Sequence, residues 1–168
     1  MSSFGKHRKK REPLSGQKLR ERAFDLLSRR DHSERELAKK LREKGAVLDE
    51  IPPLLEDLKE RRFLDDARFA ENFVRFRVGK AWGLLRYRQE LLVRGVGKNI
   101  IDTVLQDLPE VGEEALKEKL SALVLREIRK GRPEQKIMAS FLRRGFSAGP
   151  VREVLRDLMS EEEAVHEI

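Results

Sequence analysis

An all-α fold, an extended and curved tandem array of three three-helix repeats, is predicted by three observations. Apolar residues recur at helical spacing along most of the chain. Three helix-stopping glycines, Gly45, Gly95 and Gly145, stand 50 residues apart. The residues around these stops superpose on the same 50-residue frame, the mark of an internal repeat. Leu37, Tyr87 and Ile137 coincide, as do Leu41, Leu91 and Phe141, and then Lys44, Arg94 and Arg144. Beyond the glycines come Ile51, Ile101 and Val151, then Leu54, Val104 and Val154, then Leu55, Leu105 and Leu155, then Leu58, Leu108 and Leu158.

Residues 1–16 (MSSFGKHRKKREPLSG) are polar and basic and close with Pro13 and Gly16, which predicts a flexible arm, either an electrostatic tether or a solubilising tail. Repeat 1 spans 17–62. Its first helix carries Leu19, Ala23, Leu26 and Leu27 and ends near Arg30. Ser33-Glu34-Arg35-Glu36 is a capping box, in which the serine hydroxyl accepts from the Glu36 amide and opens a second helix with Leu37, Ala38 and Leu41 on its apolar face. Gly45 supplies the left-handed stop. Asp49 is the expected cap of the third helix, whose first turn tolerates Pro52 and Pro53 because amides there have no intrahelical acceptor. Asn99 and Gly149 are the corresponding caps, and Gly83 and Pro133 correspond to Ser33. Repeat 2 spans 63–111, with Phe69, Ala70, Phe73 and Val74 on its first helix, and repeat 3 spans 112–159, with Leu116, Leu120, Leu123, Val124 and Ile128. Residues 160–168 are expected to be a frayed acidic tail.

Charged residues make up 40% of the 168, against an average near ~25%, while 39% hydrophobic residues suffice for packed amphipathic helices. The absence of cysteine excludes a disulfide framework, a thiolate zinc site and a cysteine nucleophile. No apolar run approaches the ~18 residues of a membrane span, and no apolar stretch follows the basic start, so no membrane association and a cytoplasmic location are expected. The net charge of +7 and pI near 9.8 favour an anionic partner. The excess is concentrated. Residues 1–22 carry eight Lys and Arg against Glu12 and Glu21, and Arg68 to Lys98 carries eight against Glu71 and Glu90, whereas acidic residues offset the basic ones elsewhere.

The titratable residues offer little catalytic chemistry. His7, His32 and His166 form no ligand spacing; His166 with Glu162 and Glu163 comes nearest. His32 beside Ser33 reads as a helix start rather than part of a hydrolase. Asp65-Asp66 reads as helix capping; the alternative, a metal nuclease, lacks further carboxylates. The glycines of Gly95-Val96-Gly97 serve a helix stop and not a phosphate loop. No catalytic residue, metal or cofactor is therefore expected. Arg42, Lys44, Arg143 and Arg144 read as a solvated surface. Arg68, Arg77, Lys80, Arg86, Arg88, Arg94 and Lys98 are the candidate partner or nucleic-acid contacts, spread over several faces because Arg86 and Arg94 do not align at ~100° per residue. Trp82, the one tryptophan, is either core or an exposed anchor that stacks on a base or fills a partner pocket.

Three linked motifs carry a family resemblance. They are Arg30-Asp31-His32-Ser33-Glu34-x-Glu36-Leu37 with Lys40-Leu41 and Lys44-Gly45, then Phe63-Leu64-Asp65-Asp66-x-Arg68-Phe69-Ala70, then Gly83-x-x-Arg86-x-Arg88-Gln89-Glu90-Leu91-x-x-Arg94-Gly95. Together they resemble the bacterial RecX regulatory proteins from about Leu19 to the C-terminus, with Arg143-Arg144-Gly145-Phe146 a weaker echo. Trp82 departs from the tyrosine more usual before that glycine but keeps an aromatic. The resemblance implies a helical-repeat, non-enzymatic protein that binds the RecA recombinase filament on single-stranded DNA, inhibiting strand exchange, ATP hydrolysis and coprotease activity, with a monomer expected. Duplex binding without sequence preference is compatible with it. A sequence-specific helix-turn-helix reader is the competing expectation, but the third helices carry Asp57 and Asp107 and few Arg, Asn or Gln with which to read bases.

Overall fold

The computed structural model describes the backbone of residues 13–166 and the side chains of residues 13–160; residues 1–12 of the basic arm lie outside the described residues. The described regular structure is helical: α1 (Gly16–Arg29), α2 (Glu34–Glu43), α3 (Ile51–Glu60), α4 (Asp66–Arg75), α5 (Leu84–Val93), α6 (Lys98–Asp107), α7 (Glu113–Ile128), α8 (Glu134–Arg143) and α9 (Ala148–His166). The described residues up to Asp65 form one compact unit and those from Asp66 a second.

Frame positions from all three repeats are buried. Leu41, Leu91 and Phe141 are each 0% exposed, and Leu37, Tyr87 and Ile137 are 0, 0 and 1% exposed. Three hydrophobic clusters result, one for each set of three helices. Burying one such Leu or Phe side chain is worth about 1.5–3 kcal/mol, so the frame supplies much of the drive to fold. Each second helix ends identically. Gly45, Gly95 and Gly145 adopt φ of 84°, 84° and 86°. The amides of Ala46, Val96 and Phe146 then each donate to a carbonyl three residues before the helix-ending cation, at 3.1 Å in every case.

The first unit shows where local chemistry and tertiary contact take over. Ser33 Oγ accepts from the Glu36 amide at 3.1 Å, as the capping box requires, while the Glu36 carboxylate pairs with Arg30 at 2.9 Å. Leu14 is not part of a free arm: its amide donates to the Gly45 carbonyl at 2.9 Å and its carbonyl accepts from Val47 at 3.0 Å. The Gly16 amide at the start of α1 donates to the Glu50 carboxylate at 2.6 Å. Asp49 is not the cap of α3; it lies inside a 3-10 turn, Leu48–Glu50, that leads directly into the helix at Ile51. Asn99 and Gly149 likewise fall inside α6 and α9, since the extended backbone of Gly97 already opens α6 and α9 begins at Ala148. The acidic C-terminal stretch is also helical, for α9 continues to His166 through Glu161, Glu162, Glu163 and Ala164, all good helix formers.

In the second unit α4 packs on α6 and α7 on α9. The two three-helix sets meet backbone to backbone. Gly83 and Leu85 amides at the start of α5 donate to the Arg144 and Gly145 carbonyls after α8, at 3.0 and 3.1 Å. Amides at a helix N-terminus and carbonyls at a helix C-terminus both lack intrahelical partners, so each end caps the other. The approach leaves no room for side chains: a Cβ on Gly83 would lie 2.2 Å from the Gly145 oxygen, and one on Gly145 would lie 2.3 Å from the Arg86 nitrogen. Glu127, only 4% exposed, anchors the turn after α7 through Arg132 at 2.6 Å and Lys130 at 3.0 Å. The hydrogen bonds from Arg132 and then Lys130 hold its carboxyl down at about 2.

Gly45 tests φ strain alone, since its missing Cβ has open space around it, and G45A is expected to cost roughly 1–2 kcal/mol for the left-handed conformation. Gly83 tests contact alone, because its φ of −87° suits any residue; G83A is expected to cost about 1–3 kcal/mol by overpacking. G145A combines both penalties and should exceed either in chemical denaturation of the full chain.

His32 is 2% exposed; its Nδ1 contacts the Arg30 carbonyl at 2.9 Å, and its Nε2 is buried without a hydrogen-bond partner. Burial, helped by the charges of Arg30 and Lys40, pushes its pKa below the ordinary 6.5, against the raising effect of the Arg30 carbonyl and Glu36. The unfolded chain therefore binds a proton that the folded one resists, and stability falls as pH drops below 6.5. Amide-exchange protection of α2 should decrease from about pH 7 to about pH 5.5, and H32Q should flatten that dependence.

Candidate nucleic-acid interface

The connection from α4 to α5 is built on aromatic packing. Phe73 at the end of α4 is 5% exposed, and Tyr87 on α5 is fully buried. The Tyr87 hydroxyl donates to the Arg77 carbonyl at 2.9 Å, and burial, opposed by Arg77, pushes its pKa up. Trp82 lies half-buried against both rings, 6.5 Å from Phe73 and 5.5 Å edge-on to Tyr87. It is neither enclosed core nor a free anchor, but a ring with one part packed and one part accessible.

Cations surround these rings. The Arg77 guanidinium carbon lies 3.8 Å and that of Arg94 4.5 Å from the Phe73 centroid. Lys80 and Arg86 approach Trp82 at 5.1 and 5.5 Å. Each such contact contributes about 0.5–1 kcal/mol near a surface and fixes where the charge sits. Lys119 of α7 reaches the Val78 carbonyl and ties the same connection to the third repeat; burial lowers its pKa.

Glu90 organises the arginines. Arg86 and Arg94 leave α5 on different faces, but they lie one helical turn to either side of Glu90, and their long side chains converge on its carboxylate at 2.5 and 2.6 Å. Partial burial raises the Glu90 pKa, but the Arg94 hydrogen bond and the charges of Arg86, Arg94 and Arg77 outweigh it and hold the group below the ordinary carboxylate value. The carboxylate therefore stays ionised and keeps both guanidiniums oriented.

Of the eight residues expected at the interface, Arg77, Lys80, Trp82, Arg86 and Arg94 come together. Arg88 turns away to pair with Asp102 of α6. Arg68 lies in the first turn of α4, at the far end from Phe73, and Lys98 is the first residue of α6. Sequence reasoning missed Phe73 and Tyr87 as the platform, Glu90 as the clamp, and Phe76, which is 86% exposed beside Arg77. Glu90 was detectable in principle: an acid four residues from an arginine on both sides is a helix-pairing signal. A carboxyl-carbon NMR titration should place the Glu90 midpoint below 4.5 and show it rising more in R94A than in R77A.

Comparison with known proteins agrees with this architecture. Residues 20–58 match the model for the first three-helix domain of RecX, and residues 65–105 match that for the second. The chain is 45% identical over 141 residues to the regulatory protein RecX of Halorhodospira halophila, an alignment covering 80% of this chain and 84% of that one. It is 43% identical over 89 residues to the RecX of Pseudomonas putida F1, covering 53% and 57%. A crystal structure of regulatory protein RecX superposes with a TM-score of 0.74 at 27% identity, covering 83% of this chain and 70% of that one. The RecX structure from Lactobacillus salivarius shares the fold, with a TM-score of 0.73 at 23% identity and coverage of 84% and 94%. With its helical repeats and its extensive identity to these proteins, the chain belongs to the RecX family of regulatory proteins.

Proposed function

We propose that the protein binds the RecA recombinase and its single-stranded DNA filament, and restrains strand exchange, ATP hydrolysis and coprotease activity by occupying the filament groove. It acts as a cytoplasmic monomeric regulator and not as an enzyme, with residues 17–62, 63–111 and 112–159 as its three repeat domains. The observation that carries this reading is the gathering of Arg77, Lys80, Arg86 and Arg94 around Phe73 and Trp82.

Guanidiniums take phosphate oxygens in pairs, and an accessible indole stacks on any base, so the cluster suits a single strand without reading its sequence. The exposed ring of Phe76 offers a second stacking surface. Because Glu90 already orients Arg86 and Arg94, less side-chain freedom is lost when a phosphate arrives. A groove occupied in this way denies the incoming second DNA its place.

Trp82 is the chain's one tryptophan, so its fluorescence reports binding directly. A single-stranded oligonucleotide should quench it in the unsubstituted protein, whatever the base sequence. In R77Q/R86Q/R94Q the log–log salt dependence should shallow by roughly 0.7 for each phosphate that is no longer neutralised, and suppression of RecA ATP hydrolysis on single-stranded DNA should weaken. R88Q, which removes an arginine paired with Asp102, should behave much like the parent. Equal binding and equal suppression by the triple variant would remove this cluster from the function.

A further inference from the structure

The outer side of α5 carries a second, apolar surface beside the arginine cluster. Leu85, Leu92 and Val93 are 54, 36 and 70% exposed, and Gln89 completes their stripe at positions i, i+4, i+7 and i+8. The core-facing side of the same helix is already supplied by Tyr87 and Leu91, both 0% exposed, so the fold does not need the stripe. The repeat provides an internal control. The equivalent positions in α2 are Arg35, Lys39, Arg42 and Glu43, exposed in the same pattern and all charged. In α8 they are Gln135, Ala139, Leu142 and Arg143, also exposed and of mixed character. The middle repeat alone places three large apolar side chains here.

We propose that this stripe is a protein-docking surface beside the nucleic-acid cluster, sharing only Arg86 with it, and that its occupant is an acidic amphipathic helix of the partner protein. The inference rests on the reading that this chain acts on a protein filament. Around α5, at ~100° per residue, Arg88 borders the stripe on one side and Arg86 on the other, while Arg94 lies on the far face over Phe73. Arg86 pairs with Glu90 and Arg88 with Asp102, but the stretch from Arg68 to Lys98 that holds the stripe carries eight Lys and Arg against Glu71 and Glu90, so the surroundings of both borders stay positive. A helix laying its own apolar side along Leu85, Leu92 and Val93 would bring its flanking residues over both borders, and carboxylates there would meet guanidiniums. The same charge disfavours a second copy as occupant, because pairing α5 with α5 would set arginine borders against arginine borders. Leu85 and Val93 are eight positions apart, about 12 Å at ~1.5 Å per residue, so roughly three turns of a partner helix would cover the stripe.

The test transfers the surface of the first repeat onto the second. L85R/L92R/V93E installs the residue types that α2 carries at the same exposed positions, and its circular dichroism and melting temperature should stay close to those of the parent. Three measurements on the full chain follow. The first uses a designed helical peptide with leucines on one face and glutamates flanking them, beside a control in which lysine replaces glutamate. The parent should bind the acidic peptide at least tenfold more tightly than the basic one, and the variant should lose that binding. The second uses RecA without DNA, whose association with the variant should weaken about tenfold or more. The third uses a single-stranded oligonucleotide, whose quenching of Trp82 should stay within about twofold. Failure of the parent to prefer the acidic peptide, or retention of that preference by the variant, overturns the stripe proposal. A concentration-dependent dimer of the parent that the variant abolishes also overturns it, in favour of a second copy. If the parent binds the acidic peptide but not RecA, the stripe stands and the functional reading falls. If the parent binds RecA and the variant binds it equally, the stripe falls and the functional reading stands.

Discussion

The left-handed glycine that ends the second helix of each repeat is the constraint on which the architecture depends. A φ near 85° reverses the chain within one residue, and the amide beyond it satisfies a helix-end carbonyl. The apolar residue that follows, Ala46, Val96 or Phe146, is thereby delivered into the core at 7, 2 and 5% exposure. Without that reversal the second and third helices would not turn their buried faces toward one another. In the third repeat the turn has an additional task, because its carbonyls receive the first amides of α5. A local turn and a contact between helix sets thus share the same atoms.

Electrostatics follow a different plan from packing. Most charges are compensated close at hand: Asp57 receives Arg20 and Arg61, Lys59 receives Glu34 and Glu56, and Glu127 receives Lys130 and Arg132. Apart from the buried Glu127, these are exposed pairs that contribute at most about 1 kcal/mol each, so their effect is mainly to keep a highly charged surface locally neutral. Between α4 and α5 the balance changes. Four cations gather over two rings with Glu90 as the central acid, leaving positive charge held in place by the protein's own core. Rigidity there comes from Tyr87 and Phe73, which bind the connection from beneath.

The apolar frame was legible from spacing alone, since Leu41, Leu91 and Phe141 had to be buried if helices formed at all. Capping was legible only where a side chain does the capping. Ser33 could be named because its hydroxyl carries the signal, whereas the starts of α3, α6 and α9 depend on backbone geometry and lay one or two residues from Asp49, Asn99 and Gly149. The role of Gly83 was hidden for a related reason. Its conformation is ordinary, and what excludes a side chain is the Gly145 carbonyl, more than sixty residues away in sequence.

The sequence by itself determined the helical class, the three-fold repetition, the glycine turns and the region of surplus positive charge, because periodicity and left-handed backbone are local properties. Only the tertiary structure decided which charges act together. Arg86 and Arg94 converge because flexible side chains fold back onto one carboxylate, while Arg88 is diverted by Asp102 from another helix. It also decided that Leu85, Leu92 and Val93 face outward. A leucine's burial depends on what packs against its helix, and α5 had already met its core with Tyr87 and Leu91.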